Sequence, residues 1–286
     1  MIKNILFGTG CLVALSAGTA QAEEGHHAGV PDSVIAAQNA ALQASASGSG
    51  FGPQSPRDLT KREGSNTRAF AAAPARQSLN ICNIHLHENA EHRGGDFTTF
   101  AGNGDGHGNG TGYKYNGTLT AAELSPIAQP VGHSEHGSLE PGDTIEIHFV
   151  YSSADTKPGS TLSACFNDAI KNPQLRVEAV IAVLVNNPAA QNMTHIAEIR
   201  QIDGLYQAPN LPEKLGTPVS YAGSTTGPSY NEIASPFQVT WNVRPAVAKL
   251  DISSLAAWFA ENPFKEEHAH GARNLVTDPA MLSAIK

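Results

Sequence analysis

Four stretches of this chain carry apolar residues at strand spacing. Ser78 to His87, Asp143 to Ser152, Leu175 to Val185 and Phe237 to Val243 are rich in β-branched and aromatic residues, with Gly and Pro frequent between them. The second stretch alternates most sharply. Thr144, Glu146, His148 and Val150 fall on one face, and Ile145, Ile147, Phe149 and Tyr151 on the other. The apolar face must be core. Helical periodicity is sparse: Ser253 to Glu261 places Leu255, Trp258 and Phe259 on one side, and Val34 to Ala46 fits one short amphipathic helix. The pattern predicts a mainly β domain over residues 77–286, an ordinary size for one core, built on a central twisted, mostly antiparallel sheet with few short helices.

Composition divides what precedes that domain. Residues 1–22 read as an export signal: Lys3, then an apolar run from Ile5 to Ala17, then the small-residue cleavage pattern Ala20-Gln21-Ala22. The run is short for a membrane anchor, and Gly8 argues against lipid attachment at Cys11. A soluble periplasmic or secreted chain beginning near Glu23 is the expectation. Residues 23–76, rich in Ala, Ser, Gly and Gln, read as a flexible segment, with His26 and His27 solvated. The formal net charge of −8 and the lack of a basic stripe give no reason to expect a nucleic-acid partner. Gly102 to Gly117 lacks the Lys-Ser/Thr ending of a phosphate loop and reads as a surface loop between strands. Outside the leader, Cys82 and Cys165 remain, and an oxidising compartment would let them pair; two free buried thiols are the alternative.

The chemistry lies in the polar face of the strands. His85 and His87 sit two apart in Asn83-Ile84-His85-Leu86-His87, so both imidazoles project from one face. A neighbouring strand carrying His148 can add a third nitrogen. Three neutral imidazoles leave one position open on Zn²⁺, the mark of a catalytic rather than a structural site. A lone histidine on a strand is ordinarily structural or exposed; it is the two stretches together that point to a metal. Asn83 precedes His85 by two residues and Glu146 precedes His148 by two, so each shares a face with the imidazole whose second nitrogen it would hold.

These residues resemble carbonic anhydrases. The strand pair is similar to the alpha class, where a Gln-x-His-x-His strand and a Glu-x-His strand supply three zinc ligands. Ser134-Glu135-His136 resembles that class's Ser-Glu-His element, Tyr221 to Pro228 its Tyr-Pro-Gly-Ser-Leu-Thr-Thr-Pro turn, and Val239-Thr240-Trp241 the strand that follows. The 48 positions between His87 and Glu135 are far more than alpha enzymes have, and extra residues separate Thr226 from Trp241. As a whole the chain resembles the delta class, bacterial members included, with Cys82-Asn-Ile-His-Leu-His-Glu-Asn-Ala-Glu-His92 as the stretch that carries the likeness. The resemblance implies an alpha-like sheet architecture and reversible hydration of CO₂ to bicarbonate and a proton. It implies zinc on His85, His87 and His148. Carbonic anhydrase is itself the standard example of zinc making hydroxide available near neutral pH. It further implies Thr226 as the gatekeeper hydroxyl that orients the attacking oxygen (Thr225 if one gap is allowed), with Glu135 as the carboxylate behind it. His92, His133 and His136 are candidates for passing the proton outward, because imidazole titrates near neutrality.

Two other readings fit parts of the pattern. His85-x-His87-x-x-x-Glu91 matches the first metal motif of a cupin, with His148 as the later ligand and iron or manganese favoured by the carboxylate. Twelve histidines on an exported chain also suit a periplasmic zinc-binding protein. His268 and His270 read as a solvated tail, or else as part of the site or a second metal's ligands.

Overall fold

The computed structural model describes residues 29–68 and 70–286. The leader reading, Cys11, His26 and His27 lie outside the described residues. Among the described residues twelve strands are present: β1 (Asn80–Glu88), β2 (Phe97–Asn103), β3 (Thr111–Tyr115), β4 (Val131–Ser134), β5 (Gly137–Leu139), β6 (Thr144–Ser152), β7 (Leu175–Val185), β8 (Arg200–Ile202), β9 (Leu205–Gln207), β10 (Val219–Ser224), β11 (Gln238–Val243) and β12 (Ala248–Asp251). Helices are few and short: α1 (Asp32–Ala46), α2 (Met193–Ile196) and α3 (Ile252–Ala260). None of those described is long and apolar enough to cross a membrane.

The central sheet runs β1-β6-β7-β11-β10, with β12 also pairing β7. β1–β6, β6–β7 and β10–β11 are antiparallel, whereas β11 and β12 run parallel to β7. The sheet is therefore mixed. β7 explains why. Its eleven residues, almost all apolar, are covered on both faces, as suits a central strand with parallel neighbours.

Alternation in β6 divides two cores. Ile145, Ile147, Phe149 and Tyr151 join Ile84, Leu86 and the α3 residues Leu255, Trp258 and Phe259 on one side. Helix α3 starts where Asp251 accepts the Ser254 backbone N–H, a favoured N-cap arrangement. On the other side, Val150 packs with Val177, Tyr221 and Trp241. The polar face of β6 is therefore not solvated; all nine residues of the strand are buried.

Three sequence expectations change. The glycine-rich stretch is not a free loop: it holds the end of β2, the turn over residues 104–110 and all of β3, and the two strands pair as a hairpin. Residues 51–76 are not a free linker. Gln54, Ser55 and Arg57 are fully buried, and the Arg57 guanidinium donates to the carbonyls of Lys61, Glu63 and Ser283. Satisfied backbone and polar groups, not apolar periodicity, hold this segment down, so composition alone suggested flexibility. Helix α1 is likewise anchored, by Leu42 against Ala234, Val276 and Met281.

Cys82 and Cys165 are joined by a disulfide. Cys82 sits at the register shift of β1, between Ile81 and Asn83. The bridge ties the start of the histidine strand to the turn at Leu162–Cys165.

Candidate metal centre and active site

β1 and β6 pair so that His85 stands directly opposite His148, and His87 opposite Glu146. Ligand atoms of His85, His87 and His148 lie within 4.8 Å of one another. The other ring nitrogen of each is held. His85 Nδ1 is 2.6 Å from Asn83 Oδ1, an amide oriented by its Nδ2–H donating to Gly159. His87 Nδ1 is 2.8 Å from the Gly271 carbonyl. His148 Nε2 is 2.8 Å from Glu146 Oε1. Each of these acceptors requires an N–H on the ring nitrogen facing it. That leaves Nε2 of His85, Nε2 of His87 and Nδ1 of His148 as bare lone pairs. Two of them, His148 Nδ1 and His85 Nε2, face each other at 3.2 Å with no proton available between them. Such a juxtaposition is unfavourable without a cation and suited to one. Burial first, then the neighbouring imidazoles, pushes His85 well below the usual histidine range, and burial lowers His87 too. Both are held neutral, as metal ligands must be. The donor set fits a divalent ion that prefers nitrogen, with room for solvent at a fourth position.

Behind the histidines runs a buried polar chain. Burial alone would raise the Glu146 carboxyl, but His92 and the hydrogen bonds from His148 and His92 outweigh it and hold it well below the usual range. His92 offers both its backbone N–H and Nδ1 to Glu146, and its Nε2 is 2.7 Å from the Tyr221 hydroxyl. Tyr221 reaches Ser55 Oγ at 3.1 Å, and Ser55 and Ser224 exchange backbone-to-hydroxyl hydrogen bonds. The close approach explains Gly223, where a Cβ would come within 2.0 Å of Ser55 Oγ. The segment that read as a linker thus braces the turn carrying Thr225 and Thr226.

The cavity over the cluster is lined by both threonines, Ser55, Glu91, Trp241 and Arg273. Thr226 and Thr225 both line the cavity. Glu135 lies elsewhere. Its side chain is 87% exposed beside His136, in the turn between β4 and β5, and it does not line the cavity. The buried carboxylate among the threonines is Glu91, whose Oε1 accepts the Arg273 backbone N–H at 2.7 Å. The signal was present in Glu91-His92, a second Glu-His pair much closer in sequence to His87. Glu91 approaches His87 at Nδ1 (3.7 Å) and His148 at Nε2 (3.9 Å), the outer nitrogens. A cupin-type ligand role would need it on the inner side.

The proton-passing candidates also shift. His92 is fully buried inside the polar chain, and His133 is bonded to Ser138 on an exposed hairpin, while His136 stays beside Glu135. The segment read as a solvated tail is instead built into the site. His270 exchanges backbone hydrogen bonds with Leu86 and Glu88, its ring centroid lies 6.1 Å from those of His85 and His87, and Nε2 is 2.7 Å from Glu266 Oε2. It is the partly exposed imidazole next to the cluster. Neither it nor Arg273 carried any periodic signal.

Because the histidines, Thr226 and Glu91 share one cavity, Glu91→Gln is expected to lower the CO₂ hydration implied by the sequence resemblance roughly 10–100-fold, the usual scale for an orienting partner beside a metal site. Glu135→Ala should match the parent. Stopped-flow rates on the two variants check this, and equal rates for Glu91→Gln and the parent would refute the assignment.

The family model described as Delta carbonic anhydrase matches residues 76–254. No curated protein matches the chain. Among solved structures, the alpha-carbonic anhydrase from Thermovibrio ammonificans in complex with the inhibitor sulfanilamide is similar at 16% identity, over 78% of this chain and 82% of that one, with a TM-score of 0.28. The Photobacterium profundum alpha-carbonic anhydrase is similar at 15% identity, over 84% of this chain and 93% of that one, with a TM-score of 0.26.

Proposed function

The chain belongs to the delta carbonic anhydrase family and is a carbonic anhydrase, and from that premise we propose that His85, His87 and His148 hold zinc for the reversible hydration of CO₂ to bicarbonate and a proton. The observation that supports this is the convergence of three bare imidazole nitrogens whose partners fix every tautomer. Zinc bound there supplies a Lewis acid that makes hydroxide available near neutral pH.

The rest is done by this chain's own groups. Thr226 would orient the attacking oxygen by accepting a hydrogen bond from its O–H while donating its own hydroxyl hydrogen bond to a carboxylate; Glu91, buried in the lining of the same cavity, is the acceptor we propose in place of Glu135. Trp241, packed 5.0 Å from the His148 ring, walls the cavity with apolar surface suited to a neutral, linear substrate. Glu146 fixes the His148 tautomer and is itself kept charged by His92.

Stopped-flow CO₂ hydration on zinc-loaded protein, with and without a chelator, tests the reading. Catalysis that disappears on chelation and returns with zinc is expected. An uncatalysed rate in fully loaded protein would favour a zinc-binding protein without this activity. An exported location is supported by the leader-like residues 1–22 and by the disulfide, which persists in oxidising compartments. N-terminal sequencing of the mature protein, starting near Glu23 if so, checks it.

A further inference from the structure

Arg273 is the single Lys or Arg among the described residues lining the cavity, and it is 3% exposed. Its guanidinium is poorly satisfied. Nη2 donates to the Tyr230 carbonyl at 2.9 Å, Nη1 reaches Ser224 Oγ only at 3.4 Å, and Nε has no partner among the described residues. Glu91 uses Oε1 on the Arg273 backbone N–H, not on the guanidinium. The other buried arginines have a carboxylate or several carbonyls on their guanidinium, although Arg57 Nε and Arg244 Nε are likewise without a partner. Arg244 lies 2.9 Å from Glu178, Arg76 lies 2.7 Å from Glu213, and Arg57 meets three carbonyls. A desolvated cation whose guanidinium makes no direct ion pair is costly; burial lowers the Arg273 pKa to about 10, and the nearby Glu91 charge opposes this only in part.

We propose that Arg273 is the anion-recognising residue of this cavity, offering its open N–H edge to the planar oxyanion that the reaction produces. This rests on reading the cavity as the site of CO₂ hydration. The substrate is neutral and linear, and bicarbonate carries a negative charge on a flat carboxylate edge. A guanidinium fork matches that edge and gains nothing from the substrate. Arg273 therefore distinguishes the two ends of the reaction and sets how strongly bicarbonate and other planar oxyanions occupy the site.

Nitrate is the probe. It is titrated into the zinc-loaded full chain and followed by the fluorescence of Trp241, which lines the cavity, in the parent, Arg273→Lys and Arg273→Gln. Nitrate affinity should weaken about tenfold in Arg273→Gln, as expected for one lost charge-assisted hydrogen bond, and by less in Arg273→Lys, which keeps the charge but loses the fork. Nitrate inhibition of CO₂ hydration should weaken in the same order. A purely structural arginine would lower the melting temperature and leave nitrate affinity unchanged, and that result overturns the proposal. Should Arg273→Gln fail to fold, Arg273→Lys and the ¹⁵Nε–H resonance of Arg273 in the parent decide: a resonance unmoved by saturating nitrate overturns it equally. Protein that binds nitrate through Arg273 yet hydrates no CO₂ would sink the functional reading and leave this one standing.

Discussion

Replacing His148 by Ala is expected to abolish zinc retention and CO₂ hydration together. The variant keeps two of three converging nitrogens, and two imidazoles two residues apart on one strand do not close a tetrahedral site. The fold should survive. Glu146 loses one hydrogen bond but keeps two from His92, so no buried charge is stranded. His148 packs against Trp241, and the deletion leaves a small void there rather than in the apolar core that β6 shares with α3. Metal content after dialysis and stopped-flow rates on the same sample make the measurement. A fully loaded, fully active His148→Ala protein would refute the ligand set.

The second large effect falls on stability. Replacing Cys82 and Cys165 together by Ala removes a link between residues 83 apart in sequence. Loop-closure entropy for a loop of that length amounts to about 4.5 kcal/mol in the unfolded chain, a large part of the roughly 5–15 kcal/mol that holds a typical domain together. Denaturant unfolding should show the midpoint fall by a corresponding amount. The site should feel it as well, because Cys82 lies at the register shift three residues before His85; metal should be released at lower denaturant in the variant than in the parent. A loss of less than about 1 kcal/mol would mean that the bridge constrains little that the unfolded chain does not already lack.

Fold and site were legible to different depths. β7 was readable to its ends, and β1, β6, β11 and α3 to within a residue or two, because burial on one or both faces imposes its period on the residues themselves. The same period set His85, His87, Asn83, Glu146 and His148 on common faces, since residues two apart on a strand share one. The short hairpins β2–β3, β4–β5 and β8–β9 were missed. They are partly exposed and carry little apolar alternation.

What the amino-acid order determined by itself was the set of faces: which side chains along one strand must point together, and hence two histidines with an amide behind them and a third with a carboxylate behind it. Which distant groups meet those faces was decided by the path of the chain. Two of the chain's three Glu-His pairs, Glu91-His92 and Glu135-His136, were locally equivalent. After β1 the chain turns at Asn89, with φ 62°, and brings Glu91-His92 back under Glu146, while Glu135-His136 caps an exposed hairpin. Ser55 from a segment resembling a linker and Arg273 from one resembling a tail reach the same cavity through hydrogen bonds made across more than a hundred residues. No periodicity records such contacts, because they are paid for by a few satisfied polar groups and not by a repeating apolar face.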